Sequence, residues 1–461
     1  MPIIRRISSL PSNLILFFLF SGVNIWASDL ERIGYLSWER GYGGDGAEEF
    51  RSATLHPDGG YVFAGSSTSS ISGDKRSPSF DTETIEHQKG DYWWLHVNAS
   101  GEILDDRSYG GTKRDTLAFM LSLENGDFLL VGSSLSPPSG NKTSQRYGST
   151  ALSDAWILRI DKTGEKLWER SFGGVGLDGL SSGLELSNGK LLLAGTTNSE
   201  AGTGNRTAPL VAGQDGWLLC LSPEGELLWE KTYGGEGVDQ LRDISYDANT
   251  HGQILLAGYS RSQAFVTEDD STRYHEENFW ILAIDEVGEI EWQRFYGGVH
   301  GDYATSILSI PGTAMIGGYS DSGIGGSKTT TYYGEDGWTS NGTNYFTEGS
   351  RHHGWVIRLD ETGGKIRERI YGGIRQDEIH AMLPFGEGSL IGANSNSYPL
   401  SDPAIGNKSS PQYASGSIIN AEDIWLIATN SNGGIDWELS LGGYSSDVLH
   451  DLVAIPNQIF A

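Results

Sequence analysis

Residues 154–178 read DAWILRIDKTGEKLWERSFGGVGLD, and their pattern decides the fold. Two apolar runs, 154–160 and 166–172, flank Asp161-Lys162-Thr163-Gly164. That tetrapeptide is a hairpin turn, because Asp holds a turn through its side chain and Gly supplies positive φ. The second run closes on an aromatic residue, two glycines and, six residues past the aromatic, an acid. The stretch therefore predicts two antiparallel strands and a glycine turn into a third.

The same formula recurs along the whole chain. Aromatic-Gly-Gly stands at Tyr42, Tyr109, Phe172, Tyr233, Tyr296 and Tyr371, with a leucine variant at Leu441; the spacings are 67, 63, 61, 63, 75 and 70 residues. Six residues after these anchors come Glu48, Asp115, Asp178, Asp239, Asp302, Asp377 and Asp447. Sixteen residues before every anchor but the first stands a tryptophan: Trp93, Trp156, Trp217, Trp280, Trp355 and Trp425. Five anchors carry another tryptophan four residues earlier, at Trp38, Trp168, Trp229, Trp292 and Trp437, where Asp105 and Arg367 replace it in the other two. Each unit reads as four short strands of roughly forty residues once the long loop between strands two and three is set aside, a size that suits one propeller blade. A four-stranded sheet cannot bury both faces alone, so such sheets must stack, and radial stacking protects their edges.

The expected fold is an all-β propeller of four-stranded antiparallel blades, seven in number. The seventh is incomplete: it begins at Asp447, stops at Ala461 inside its second strand, and would be closed by the N-terminal strand Tyr35–Tyr42. Imperfect closure or a shortened chain both account for the missing strands.

Composition agrees with this reading. The 461 residues include 64 Gly, 14 Trp and a single Cys, and the glycine share is about twice ordinary usage. Interior helical glycines cost about 1 kcal/mol each, so a mainly helical chain is excluded. Tryptophans in this number argue against general disorder. Cys220 cannot form an internal disulfide, and its apolar run Trp217–Leu221 makes it a small core residue. The net charge of −28 disfavours nucleic acid and anionic membranes, which need clustered Lys and Arg. Arg5 and Arg6 precede the apolar run Leu14–Val23 and the small residue Ala27, the layout of a secretory signal peptide and too short for a span. The expected organisation is a signal peptide over 1–27 and one propeller domain over 28–461, secreted or at the cell surface with the periplasm as alternative, and monomeric.

The pattern of Trp, turn Gly, Trp and Tyr-Gly-Gly resembles the β-propeller repeats of secreted bacterial proteins, among them surface and cell-envelope proteins and some exported by type IX secretion. Ile160–Trp168 resembles the Trp-docking repeat of quinoprotein-like propellers. Gly140-Asn141-Lys142-Thr143, Gly204-Asn205-Arg206-Thr207 and Gly406-Asn407-Lys408-Ser409 match the same secreted class. The resemblance spans residues 35–461 and implies the fold; the activity is left open, since propellers host many functions. Its enzymatic rival is a quinone oxidoreductase, yet the adjacent-cysteine pair of some quinoproteins is impossible with one Cys, and no evident quinone site is matched.

Candidate sites follow from the repeat. Loops joining strands two to three share a face with the anchor turns, and variable loops on a rigid scaffold are where binding sites gather. Tyr332, Tyr333, Trp338, Asn344 and Tyr345 in loop 318–355 join rigid aromatics to small polar residues, a paratope-like mixture suited to a protein or glycan ligand. The acids Glu48, Asp115, Asp178, Asp239, Asp302, Asp377 and Asp447 would ring a channel and could hold Ca²⁺ through hard oxygen ligands; alternatively each caps its own glycine turn. No other cofactor is expected. His352-His353 reads as an exposed loop pair. Enzyme signals are poor: the glycine run 174–179 lacks a following helix, no G-x-S-x-G elbow on a strand-to-helix turn is present, and no H-E-x-x-H occurs. The sequence thus points to a non-enzymatic binding scaffold, with a quinoprotein-like or polysaccharide-acting enzyme, or a fragment of a larger surface protein, as the alternatives.

Overall fold

The computed structural model describes residues 2–8, 15–21, 35–83, 89–148, 152–247, 253–262, 276–298, 300–330, 352–399, 406–413, 421–443 and 446–455. These residues form all-β propeller blades, each of four consecutive antiparallel strands. There are six blades, not the expected seven. Blade 1 comprises Glu48–Leu55, Tyr61–Ser67, Asp91–Val97 and Ile103–Tyr109, and blade 2 Asp115–Ser122, Phe128–Ser134, Asp154–Ile160 and Lys166–Phe172. Blade 3 comprises Asp178–Glu185, Leu191–Thr197, Asp215–Leu221 and Leu227–Tyr233, and blade 4 Asp239–Asp247, Gln253–Ser260, Asn278–Ile284 and Ile290–Tyr296. Blade 5 runs Asp302–Ile310, Thr313–Ser320, His353–Asp360 and Lys365–Tyr371, and blade 6 Asp377–Phe385, Gly388–Ser395, Asp423–Thr429 and Ile435–Leu441. Among the described residues the seventh repeat contributes the single strand Leu452–Ile455. That strand and Tyr35–Gly41 are the edges of a separate sheet whose middle is Pro2–Ser8 and Ile15–Ser21, so no repeat-derived blade forms there.

The chain divides into two compact units. Blades 1–3 belong to one, with residues 1–21, 32–234 and 453–461; blades 4–6 belong to the other, with residues 22–31 and 235–452.

Within each unit the repeat residues do the same work. The third-strand tryptophans Trp93, Trp156, Trp217, Trp280, Trp355 and Trp425 are fully buried. Trp217 lies among residues of blades 2 and 3, and Trp355 among residues of blades 4 and 5, so each ring seals a blade-to-blade seam. The hairpin Gly164 adopts φ 79°, and the Asp161 carboxylate accepts from Thr163 N at 2.8 Å and Glu165 N at 2.9 Å. The anchor tyrosines latch one blade to the next: Tyr109 donates its hydroxyl proton to Gly164 O at 2.5 Å and Tyr371 to Gly433 O at 2.7 Å. Burial raises the phenol pKa of Tyr109, which keeps it a donor. The first strand of every blade carries a register shift, such as that between Leu180 and Ser182. Opposite it, a Cβ on Gly195 would lie 2.1 Å from Gly179 O, which is why glycine stands there. Cys220 is buried in blade 3, as its apolar run predicts, and burial pushes its thiol up to about 11.

Candidate functional site

The repeated acids are occupied by their own turns. Oδ2 of Asp115, Asp178, Asp239 and Asp302 accepts from Gly111, Gly174, Gly235 and Gly298 N at 2.8 Å each, Asp377 from Gly373 N at 2.9 Å, and Asp447 from Gly443 N at 2.8 Å; Glu48 does the same for Gly44 N at 3.2 Å. Hydroxyls at the end of the second strand complete several of these shells, as Ser136 does for Asp115 and Ser199 and Thr197 for Asp178. Each carboxylate belongs to a different blade turn, and among the described residues no group of three His, Cys, Asp or Glu side chains is placed to hold a metal. Burial holds Asp115 at about 7 and Asp302 and Asp377 at about 6, which weakens them as anionic ligands.

The lysine- and arginine-bearing loops prove equally architectural. Lys75, Lys142, Arg206, Lys328 and Lys408 are buried, and the last four sit over the third-strand ring of their own blade, at 5.6 Å for Lys142 on Trp156 and 4.6 Å for Arg206 on Trp217. An acid on the fourth strand answers the cation: Glu230 pairs with Arg206, accepts from Trp217 Nε1 at 2.8 Å and holds the loop amide of Ala208 at 3.0 Å. Burial lowers Lys328 and Lys408 to about 8. Asn141 completes the clamp by accepting from Gly110 N and donating to Ser108 O, each at 2.9 Å. In blade 4 Gln293 stands in place of the acid and takes the Trp280 Nε1 proton at 3.2 Å.

Function is therefore sought where the register holds but the residue type departs from it. One such place lies within the 235–452 unit. At the penultimate position of the second strand, blades 1–3 carry Ser66, Ser133 and Thr196, whereas blades 4 and 5 carry Tyr259 and Tyr319. Three residues before the third-strand tryptophan, blades 1–3 carry Gly90, Ser153 and Gln214, and blades 4–6 carry Glu277, His352 and Glu422. The backbone carbonyl at this position accepts from the repeat acid of the following blade, as Glu277 O does from Asp302 N and His352 O from Asp377 N, both at 2.7 Å. Glu277 is thereby set beside Tyr303, and His352 beside Glu378.

The result is a row of half-buried rings. Tyr259 meets Tyr303 edge-on at 5.0 Å, Tyr303 stacks on Tyr319 at 4.9 Å, and Tyr319 stacks on His352 at 4.7 Å. Carboxylates flank the row. Tyr303 donates its hydroxyl proton to Glu277 Oε2 at 3.0 Å, and Arg261 pairs with Glu277 at 2.8 Å. His352 is held at both nitrogens, by Glu378 Oε1 at 2.6 Å and Asp321 Oδ1 at 3.4 Å, and His380 lies 3.8 Å from Glu378. Burial opposes a charged His352, but the bond to Glu378 and the field of Asp321 outweigh it and raise the ring above its ordinary value. Burial alone would raise Glu378; its hydrogen bond and charge contact with His352 hold it low instead. Burial dominates at Asp321, which rises to about 7 even with His352 nearby. Two carboxyls on one imidazole are thus shifted in opposite directions, Glu378 below its ordinary value and Asp321 above it.

The sequence reading placed the ligand surface elsewhere. Tyr332, Tyr333, Trp338, Asn344 and Tyr345 lie outside the described residues. The expected exposed pair His352-His353 is corrected: His353 is fully buried, and His352 is a partly covered member of the ring row. Tyr259, Tyr303, Tyr319, Asp321 and Glu378 were not anticipated; the signal that marks them is departure from the repeat at fixed register positions.

No family model matches the chain, and no curated protein does. Solved structures similar to it include a candidate 6-phosphogluconolactonase from Bacteroides uniformis, at 10% identity over 98% of this chain and 99% of that one, with a TM-score of 0.43. The Pan2 WD40 domain of Neurospora crassa is similar at 10% identity over 89% and 90%, with a TM-score of 0.38. A Bacteroides caccae protein of unknown function is similar at 13% identity over 80% and 94%, with a TM-score of 0.34. Likeness at this level assigns neither family nor activity.

Proposed function

We propose that the protein is a binding module, secreted or displayed at the cell surface, that holds a glycan on the Tyr259–Tyr303–Tyr319–His352 row. The observation that carries this reading is the row itself: four rings in consecutive contact, two of which, Tyr259 and Tyr319, stand at the register where blades 1–3 place Ser66, Ser133 and Thr196. Aromatic rings offer a rigid apolar surface for the C–H faces of sugars, and Glu277, Asp321 and Glu378 supply acceptors for sugar hydroxyls. The net charge of −28 disfavours polyanionic ligands at this acidic edge. A glycan array probed with the full chain is expected to give a selective set of neutral or amino sugars, and Tyr303→Ala is expected to lose it with circular dichroism unchanged. A selective set that Tyr303→Ala leaves intact, or no selectivity at all, overturns the reading.

One observation favours a second reading, a polysaccharide-acting enzyme. His352 lies between Glu378, whose carboxyl is held low, and Asp321, whose carboxyl is raised, so that a base and an acid stand at one place. Release of reducing ends from the array-selected glycan by wild type but not by Asp321→Asn distinguishes this reading from binding alone.

A further inference from the structure

A second departure from the repeat lies at the hairpin end of blades 5 and 6. In blades 2, 3, 4 and 6 the fourth-strand tryptophan faces Arg159, Cys220, Ala283 and Ala428 across the ladder, and in blade 1 Asp105 faces His96. Blade 5 alone sets two cations opposite each other, Arg358 against Arg367. Like charges directly opposite on neighbouring strands destabilise a sheet, so this pairing needs a compensating partner.

The chain supplies none among the described residues. In blade 2 the equivalent arginine, Arg159, is neutralised by Asp127 at 2.8 Å; in blade 5 Thr313 stands in place of that acid. Arg358 donates to Thr313 Oγ1 at 3.3 and 3.2 Å and to Ser431 O at 3.4 Å, and Arg367 donates to the same Ser431 carbonyl at 3.1 Å. These are neutral acceptors, and no carboxylate lies within ion-pair distance of either guanidinium. Arg369 is a third cation on the same wall, beside Gly433 and the Tyr371 hydroxyl. Its counterparts Arg107 and Arg170 pair with Asp105 and Glu226, whereas Arg369, like Arg294 of blade 4, has no acid within ion-pair distance among the described residues.

The three arginines open onto a cavity of about 120 Å³ whose apolar floor is buried Met315 and Val356, with exposed Pro384 also lining it. Space is available because Arg367 replaces a ring that elsewhere packs on the facing hairpin, as Trp292 does against Gly363. Two acids touch the lining. The Glu368 carboxylate is turned away to Lys365 and Thr329, and Glu387 stands exposed on a hairpin.

We propose that this corner is a binding site for an oxyanion, carboxylate or sulfate, carried on a small organic body. Arginine forks meet such groups with paired, charge-assisted hydrogen bonds, and the apolar floor takes the body. A bound oxyanion would also relieve the Arg358–Arg367 repulsion. The site is separate from the ring row and stands or falls independently of it.

Calorimetric titration of the full chain with benzoate, benzamide and inorganic sulfate tests the proposal. Saturable binding of benzoate is expected, with no heat from isosteric, uncharged benzamide. Sulfate alone should bind at least about tenfold more weakly than benzoate, since it leaves the floor empty. Arg358→Gln should weaken benzoate about tenfold or more. Arg367→Trp restores the residue found in four other blades, should fold with an unchanged or raised melting temperature, and should abolish binding. Arg367→Gln gives the same readout should the ring misfit. Absence of benzoate binding up to about 10 mM, equal binding of benzamide, or full affinity in Arg358→Gln overturns the site. Sulfate binding as tightly as benzoate removes the organic body from the assignment.

Discussion

Blades 1–3 and blades 4–6 follow one formula and end in different surfaces. Both sets bury the third-strand tryptophan and cap the Gly-Gly turn with an acid. They part at positions the formula leaves free. Ser66, Ser133 and Thr196 leave the first set with small hydroxyls, where the Ser66 hydroxyl merely accepts from Leu117 N at 2.9 Å. Tyr259 and Tyr319 at the same register join Tyr303 and His352 in a continuous row of rings. In a repeat protein the residues that recur report what every blade needs in order to stack, and those that break the recurrence report what one place does.

The comparison can be broken most strongly in the shared core. Trp217→Ala in one unit and Trp355→Ala in the other should each cost about 3–5 kcal/mol, read by urea denaturation, because both rings are fully buried at blade seams. A large cost in only one unit would show that the formula is not equally structural in both. Next comes the cation clamp. Glu230→Gln leaves buried Arg206 without its acid and should cost about 3 kcal/mol. A neutral outcome would detach the acid from the cation.

A smaller effect is expected from pH. Burial raises the folded-state carboxyl of Asp377 from 3.8 to about 6, so between those values the folded chain holds a proton the unfolded chain has released. The stability this group contributes is full below about pH 4 and is lost as pH rises through 6. Asp377→Asn should therefore flatten the fall in melting temperature between pH 4 and 6; an unchanged slope would assign the fall to other groups. The smallest effect concerns His352. Its raised value carries the charged ring, and the ion pair with Glu378, to higher pH than an ordinary imidazole holds its proton, and both fade as pH rises further. Glycan affinity should shift by a few-fold across that range, and a His352→Gln variant should show no such shift.

Much of this was legible in the sequence. Trp, turn Gly, anchor and acid recur at near-constant spacing because each blade must satisfy the same backbone groups and fill the same seam, so strand order and core were readable from Trp156 and Gly164 alone. Blade number was not, since Asp447 and Val448–Ile455 repeat the start of a blade, yet Leu452–Ile455 joins a sheet with Pro2–Ser8, Ile15–Ser21 and Tyr35–Gly41. The ring row escaped for a physical reason. Tyr259, Tyr303 and Tyr319 sit on three strands with no motif between them, and only strand register brings them into contact. The burial of Lys142 and Arg206 was not legible, because the acids that face them, Asp115 and Glu230, lie more than twenty residues away.

The central claim is that the departures of the 235–452 unit form the binding surface. Its most direct test is a calorimetric titration of the array-selected glycan into wild type, Tyr319→Ser and Ser133→Ala. Tyr319→Ser gives blade 5 the small hydroxyl that blades 1 and 2 carry, and Ser133→Ala alters the same register position in blade 2. The account predicts that affinity falls about tenfold or more in Tyr319→Ser and stays within about twofold of wild type in Ser133→Ala. Equal affinity in all three proteins, or a loss confined to Ser133→Ala, would contradict it.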